Sequence, residues 1–189
     1  MVDFTAARLN MVESQVRTND VTDVRVQDAM RVIARETLVP AGKAYLAYAD
    51  AEVEYAPGRA LMAPRDIGKL LHALAIQPGQ SGLAIAAPYG AAVLEHAGLV
   101  VTRHDGEDLL VVPAGRFDVI IVEGAVSRAP SAWTEALAVG GRLGVIERDG
   151  PVGKAIVYTR TETGLARREV FDATPRFLPG FAPEQGFAF

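Results

Sequence analysis

The chain has 189 residues, a formal net charge of −4 and no cysteine. A chain of this length suits one domain, whose core would bury roughly 70% of the surface that the unfolded chain exposes. The lack of cysteine excludes disulfides, thiolate metal sites and a cysteine nucleophile, and it is consistent with a reducing compartment, so we expect a cytoplasmic protein.

Charge and hydropathy exclude two further classes of partner. The basic residues are scattered along an acidic chain, a pattern that does not favour binding to nucleic acid. The opening MVDFTAARLN carries Asp3 and Arg8 where a secretory signal has its apolar segment, and no apolar run reaches the 18 residues that a membrane helix needs. We therefore expect a soluble protein that binds neither nucleic acid nor membranes.

Residues 1–63 are predicted to form helices followed by a loop. Apolar residues recur at the spacing of one helical face in two sets, which are Leu9, Val12 and Val16, and then Val26, Ala29, Met30 and Ile33. Pro40 ends the second helix. The stretch YAPGRALMAP (55–64) contains Pro57-Gly58 and Pro64, which predicts a loop with little regular structure.

Residues 64–160 are predicted to form an α/β core. Pro64 fits the first turn of a helix, and further helices are expected at 90–97, ended by Gly98, and at about 130–138. Short apolar runs, taken as strands, lie at 82–87, 99–102, 109–112, 117–123, 142–147 and 155–160. Near-continuous apolar strands that alternate with helices predict a sheet covered on both faces, the doubly wound arrangement. Residues 161–189 would add a C-terminal strand and an aromatic tail.

One connection breaks this alternation. Only six residues, RHDGED (103–108), separate the runs at 99–102 and 109–112, whereas a parallel crossover needs a dozen or more. Asp105-Gly106 is a hairpin signal, so the two runs are predicted to pair antiparallel.

Several motifs, in this order and spacing, carry a family resemblance. They are MVESQVRTNDVTDVRVQDAMRVIARETLVP (11–40), AYLAYAD (44–50), PGRALMAPRDIGKLLHAL (57–74), YGAAVLEHAG (89–98), FDVIIVEGA (117–125) and GGRLGVIERDGPVG (140–153). With them the chain resembles the protein-L-isoaspartate O-methyltransferase family over roughly residues 9 to 160. The resemblance implies a Rossmann-like S-adenosylmethionine methyltransferase sheet preceded by N-terminal helices. It also implies methyl transfer from S-adenosylmethionine to isoaspartyl carboxylates of a protein or peptide.

The residues at the implied cofactor loop depart from the family pattern. The family's first strand ends in an acid and a glycine loop, where backbone N–H groups approach the cofactor's methionyl end. Here Ala84 aligns with the acid, Ala86 and Pro88 align with glycines, and about two loop residues are missing. The segment is then either a plain strand-to-helix turn or a helix that begins near Gly90 and still offers N–H groups to an anion.

Three more elements of the implied site are altered. His104 aligns with the acid that binds the cofactor ribose, and Asp105 beside it either takes that role or belongs to the hairpin turn. A segment on the order of thirty residues that walls the adenine pocket is absent, so the fold is expected to be shortened around its third strand. Met62 occupies the family's hydroxyl position beside the methyl acceptor, and a thioether cannot orient a carboxylate.

Glu123 ends its predicted strand, where an open α/β sheet places its ligands. It is therefore either a ligand-binding carboxylate or a solvated or arginine-paired acid. The positions expected to form the degenerate cofactor site are Ala84, Ala86, Pro88, Tyr89, Gly90, Asp105 and Glu123. The histidines show no metal-ligand spacing, so no metal site is predicted.

The preferred hypothesis is a pseudoenzyme or binding protein of this family that has lost or impaired cofactor binding. An active protein carboxyl methyltransferase with an atypical pocket is the alternative, and another nucleotide-binding enzyme such as a dehydrogenase is a third. The tail RFLPGFAPEQGFAF places Phe177, Phe181, Phe187 and Phe189 outside any helix. These rings either dock on the chain's own surface or cover the vacated cofactor cleft or a partner subunit.

Overall fold

The structure is a computed structural model that describes residues 3–183. Its N-terminal part is helical, as the periodicity predicts. Asp3 caps the first helix, α1 (Phe4–Met11), which continues through a π-helical turn (Val12–Val16) and a 3₁₀ turn (Arg17–Asn19). Asp23 caps α2 (Val24–Val32), and two short 3₁₀ helices follow (Arg35–Thr37 and Ala41–Leu46). No helix among the described residues is long and apolar enough to cross a bilayer.

A short hairpin separates these helices from the α/β core. Its strands are β1 (Val53–Ala56) and β2 (Arg59–Leu61), which pair antiparallel around Pro57-Gly58. The prediction of an unstructured loop at 55–64 was therefore wrong. The alternation of Val53 and Tyr55 before a Pro-Gly turn is a hairpin signal that the loop interpretation overlooked.

The core elements follow in the order expected of an α/β protein. They are α3 (Pro64–Ala73), β3 (Ser81–Ile85), α4 (Pro88–His96), β4 (Val100–His104), β5 (Phe117–Val126), α5 (Ser131–Glu135), β6 (Leu137–Glu147), β7 (Gly153–Arg160) and β8 (Leu165–Ala173). The strands form one sheet in the order β4-β3-β5-β6-β7-β8. Strands β4, β3, β5 and β6 run parallel to one another, and β7 and β8 extend the sheet in antiparallel orientation. The C-terminal strand expected after residue 160 is β8, and α5 is shorter than predicted because β6 already begins at Leu137.

Helices cover both faces of the sheet, so the predicted doubly wound arrangement is confirmed. One face packs on α1 to α4, and the other on α5 and the loops around Leu109 and Leu178. Two glycines allow α3 to pack closely, one against the sheet and one against the N-terminal helices. A Cβ atom built on Gly144 of β6 would lie 3.1 Å from the Leu70 side chain. A Cβ atom built on Gly68 of α3 would lie 3.3 Å from the Val16 side chain. A larger residue at either position would push the layers apart.

The predicted antiparallel pair at 99–112 was wrong. β4 pairs parallel to β3 through all five of its residues, and residues 109–112 form no strand. Instead Leu109 is buried, and its carbonyl accepts a hydrogen bond from the indole Nε1–H of the buried Trp133 at 2.8 Å. Since the chain then returns directly to β5, β4 is the edge of the sheet, as expected if the segment that follows it in the family is missing.

Candidate active site

The turn between β3 and α4 retains a glycine-like backbone at a residue that is not glycine. Ala86 has a φ of +46°, in the left-handed region that costs a non-glycine residue roughly 1 kcal/mol. Its N–H donates to the carbonyl of His104 at 3.0 Å, and its carbonyl accepts from the Tyr55 hydroxyl at 3.1 Å. The turn is thus held by β4 on one side and by the β1–β2 hairpin on the other.

The side chain of Glu123 occupies the N-terminus of α4. That helix begins at Pro88, and the N–H groups of Tyr89 and Gly90 donate to Oε2 of Glu123 at 3.0 and 3.2 Å. The N–H of Met62 donates to the other oxygen, Oε1, at 3.3 Å. A helix N-terminus has free donors and a partial positive charge, and here a carboxylate of the chain itself satisfies both.

Burial and one arginine set the charge of this carboxyl. Glu123 is 1% exposed, and burial raises its pKa to about 7, although the positive charge of Arg35 and the three backbone N–H groups lower it. Arg35 is itself fully buried. Its guanidinium donates to the carbonyls of Ala47 and Met62 at 2.8 and 2.9 Å and stacks over the Tyr89 ring at 4.3 Å.

These contacts correct the sequence interpretation of Glu123. The residue does not end its strand, since β5 continues to Val126, and it is neither solvated nor hydrogen-bonded to an arginine among residues 3–183. Its buried carboxyl accepts backbone N–H groups from the residue that follows β2 and from the start of α4. We call residues 84–90 together with the Glu123 carboxyl the closed turn.

The other predicted positions lie around the closed turn. Ala84 is buried in β3, between Arg103 of β4 and Ile121 of β5 in the sheet register, and carries no polar side-chain atom. Pro88 has no N–H to donate. Met62, directly after β2, is fully buried and contacts the site through its backbone. The sequence predicted that Met62 takes the family's hydroxyl position beside the methyl acceptor, and in the structure its amide N–H and carbonyl contact Glu123 and Arg35.

Asp105 belongs to the loop that follows β4, with an exposed side chain, and not to a hairpin. Its carbonyl and that of Gly106 accept hydrogen bonds from the Arg59 guanidinium, from Nη1 at 2.8 Å and Nη2 at 2.6 Å. Arg59 lies in β2. The β1–β2 hairpin is therefore fastened to the end of β4 by Arg59 and to the closed turn by Tyr55.

The tail runs beside the same turn. Phe177 forms a parallel bridge with Ala125, the N–H of Ala125 donates to the Arg176 carbonyl at 2.8 Å, and the N–H of Leu178 donates to the Ala125 carbonyl at 2.9 Å. On its other side Ala125 pairs with β6, so the tail takes the place along β5 that β3 leaves when it ends at Ile85. This part of the tail docks on the chain's own surface, next to the closed turn.

The rest of the described tail packs on the opposite layer. The N–H of Ser127 donates to the carbonyl of Phe181 at 2.8 Å, and the Phe181 ring lies 5.3 Å from the Trp133 ring, between centroids. Phe187 and Phe189 lie outside the described residues. The expectation of docking on the chain's own surface is thus met for Phe177 and Phe181.

Three residues that hold the site together were missed by sequence reasoning: Arg35, Tyr55 and Arg59. Nothing in the local pattern separates Arg35 from the exposed arginines of the same region, because its burial depends on contacts with distant segments. Tyr55 and Arg59 could have been found had the hairpin been recognised.

Two curated proteins that this chain resembles carry one and the same name. The chain matches no protein-family model. It is 34% identical to a protein-L-isoaspartate O-methyltransferase of Methylorubrum populi, over 92% of this chain and 94% of that protein. It is 30% identical to a protein of the same name from Koribacter versatilis, over 97% and 96% of the two chains.

Solved structures show the same fold. A putative protein-L-isoaspartate O-methyltransferase from Plasmodium falciparum, in complex with S-adenosyl-L-homocysteine, superposes with a TM-score of 0.74 at 17% identity, covering 90% of this chain and 97% of that one. A second protein-L-isoaspartate O-methyltransferase gives 0.71, covering 93% and 67%. From the identity over nearly the whole chain, this protein belongs to the protein-L-isoaspartate O-methyltransferase family.

Proposed function

We propose that this protein is a pseudoenzyme of its family, a binding protein whose S-adenosylmethionine site is closed by its own side chains. One observation carries the proposal. The Glu123 carboxyl accepts the N–H groups of Tyr89 and Gly90 at the start of α4. The family resemblance implies that the cofactor's methionyl end is held at this turn, and its carboxylate needs such donors.

The residues present do not fit the cofactor. A second carboxylate brought to the N-terminus of α4 would compete with Glu123 for the N–H groups of Tyr89 and Gly90, and would meet a like charge whenever Glu123 is ionised. Ala86 adds a methyl group and Pro88 removes a donor at positions that the resemblance assigns to glycine. Ala84 supplies no acid, and every residue of the turn except Pro88 is buried.

The surroundings support closure as well. The hairpin is fastened over the turn by Tyr55 and Arg59, and the tail runs along β5 just beyond the end of β3. The carboxyl ends of parallel strands are where open α/β sheets bind ligands. In this chain that edge is covered by two segments with hydrogen bonds of their own.

Calorimetric titration of the full chain with S-adenosylmethionine and S-adenosylhomocysteine tests the proposal. We expect no heat of binding at millimolar ligand, while the Methylorubrum populi relative serves as the positive control. Micromolar binding to this chain would overturn the proposal.

A working protein carboxyl methyltransferase is the competing proposal, and the identity to named enzymes over the whole chain favours it. It requires Glu123 to leave the N-terminus of α4 and the hairpin to lift. Methyl transfer to an isoaspartyl peptide, measured with labelled S-adenosylmethionine, would establish it.

For the binding role we propose an isoaspartyl protein or peptide as the partner. A cavity of about 310 Å³ lies against β1 and is lined by Pro40, Lys43, Glu54, Tyr55, Ala56 and Pro57. It adjoins residues 58–64, which the family resemblance assigns to the substrate side of the site. Fluorescence anisotropy with a labelled isoaspartyl peptide, and with its aspartyl counterpart, tests this role. Equal or absent binding of the two peptides would reject it.

A further inference from the structure

A second cavity lies away from the closed turn, between the N-terminal helices, α3 and β8. Its volume is about 380 Å³. The residues that matter here are Asn19, Asp20, Lys69, His72, Arg168 and Phe171. We call this site the basic cavity. It does not share a residue with the closed turn.

The cations of this cavity are unlike the others in the protein. Among residues 3–183, every lysine and arginine except Lys69 and Arg168 donates a hydrogen bond or ion pair to an oxygen of another described residue. Both exceptions line the basic cavity. In an acidic chain with an excess of carboxylates, two neighbouring cations that donate to no oxygen of the described residues indicate a place for an anion.

The acids nearby do not neutralise these cations. Asp20 is the single acid among the residues that line the cavity, and its side chain is exposed. Asp66 lies one turn before Lys69 on α3 and its charge interacts with that lysine, but its ion pair, at 2.8 Å, is with Arg65. Lys69 and Arg168 therefore leave the cavity with a positive formal charge.

One wall of the cavity is aromatic and apolar. The ammonium group of Lys69 lies 5.1 Å from the centroid of the Phe171 ring, and Val170 lines the cavity beside it. A flat apolar group can pack on this wall while an attached anion reaches the two cations. From this arrangement we propose that the basic cavity binds a small organic anion that carries a flat apolar group.

Phenyl phosphate is a probe that has both features. Calorimetric titration of the full chain at low ionic strength should show binding of phenyl phosphate about tenfold tighter than that of inorganic phosphate, and no binding of benzylamine. Raising the salt concentration should weaken the binding, since the cations are partly exposed. Absence of phenyl phosphate binding, or equal binding of benzylamine, would overturn the proposal.

Matched variants locate the site. Lys69→Gln and Arg168→Gln should each weaken phenyl phosphate binding about tenfold, the scale of one charge-assisted hydrogen bond. Arg103→Gln is the control, because Arg103 also lies on an edge strand, at the opposite side of the sheet, and pairs with the exposed Glu95. Equal affinities in all three variants would overturn the proposal. The proposal would also be overturned if phenyl phosphate shifted the backbone amide NMR resonances of residues 86–90 and left those of residues 19–20 and 168–171 unchanged.

Discussion

The closed turn and the basic cavity treat charge in opposite ways. At the closed turn the Glu123 carboxyl accepts the N–H groups of Met62, Tyr89 and Gly90, and the Arg35 guanidinium donates to two buried carbonyls, while its Nη1 has no hydrogen-bond partner among the described residues. At the basic cavity Lys69 and Arg168 face a space of about 380 Å³ and donate to no oxygen of the described residues. Hydrogen-bonded buried groups stabilise a fold, whereas unpaired charges at a surface are free to bind a ligand. The difference makes the basic cavity a place to test for a ligand independently of the family's cofactor edge.

Of the substitutions that test this comparison, replacing Arg35 should lower the free energy of unfolding the most. Arg35→Met removes the donors to two buried carbonyls and the positive charge that lowers the pKa of Glu123, so we expect the free energy of unfolding to fall by about 3–5 kcal/mol. Urea denaturation measures it. Arg17→Met, at an exposed arginine that pairs with Glu13, is the control and should cost about 0.5 kcal/mol or less. A loss below 1 kcal/mol at Arg35 would show that its buried hydrogen bonds do not hold the segments around the turn together.

The charge of Glu123 should be visible in the pH dependence of stability. Its pKa is raised from the ordinary 4.5 to about 7 in the folded protein, so the folded state favours the protonated form. Ionisation between these values disfavours folding. The free energy of unfolding should therefore fall as pH rises from 4.5 to 7, by up to about 3 kcal/mol from this group.

The variant Glu123→Gln isolates this contribution. A neutral side chain cannot ionise, so its stability curve should diverge from that of the unmodified protein over the same pH interval. Glu95→Gln, at an exposed carboxylate, is the control and should follow the unmodified curve in shape. Parallel curves for Glu123→Gln and the unmodified protein, by urea denaturation at several pH values, would show that Glu123 keeps an ordinary pKa.

A smaller effect is expected at the fastening of the hairpin. Tyr55→Phe removes the hydroxyl that donates to the Ala86 carbonyl, and we expect a loss of about 1 kcal/mol in unfolding free energy. Hydrogen exchange at the start of α4 should become faster if the hairpin holds the turn closed. Tyr45→Phe, at an exposed tyrosine, provides the comparison. Equal exchange in both variants would count against the fastening role.

The smallest effect should come from the basic cavity. Lys69→Gln and Arg168→Gln remove charges that make no hydrogen bond to the described residues, so unfolding free energies should change by no more than about 0.5 kcal/mol. The same variants should each bind phenyl phosphate about tenfold more weakly. A fall of more than about 1.5 kcal/mol in the unfolding free energy of either variant would show that the replaced cation has a structural role, and would contradict the contrast between the two regions.

Local pattern predicted much of the fold and part of the site. The N-terminal helices, α3, α4 and most strands follow from apolar periodicity and from proline and glycine at element ends, which act within a few residues. The hairpin at 53–61 carried a readable turn signal. The strand predicted at 109–112 was wrong because only Leu109 of this apolar run is buried, in a loop that packs on Trp133, while Leu110 and Val111 are exposed.

By itself, then, the sequence determined the alternation of strands and helices, the family, and the presence of Ala86 and Pro88 in the turn after β3, where the family resemblance implies glycine. Only the tertiary structure decided which groups contact that turn. Glu123, Met62 and Tyr89 come from three separate segments, and Lys69 and Arg168 from two others. Whether a charge is satisfied or left without a partner depends on groups that are distant in the chain and close in space, which no local pattern records.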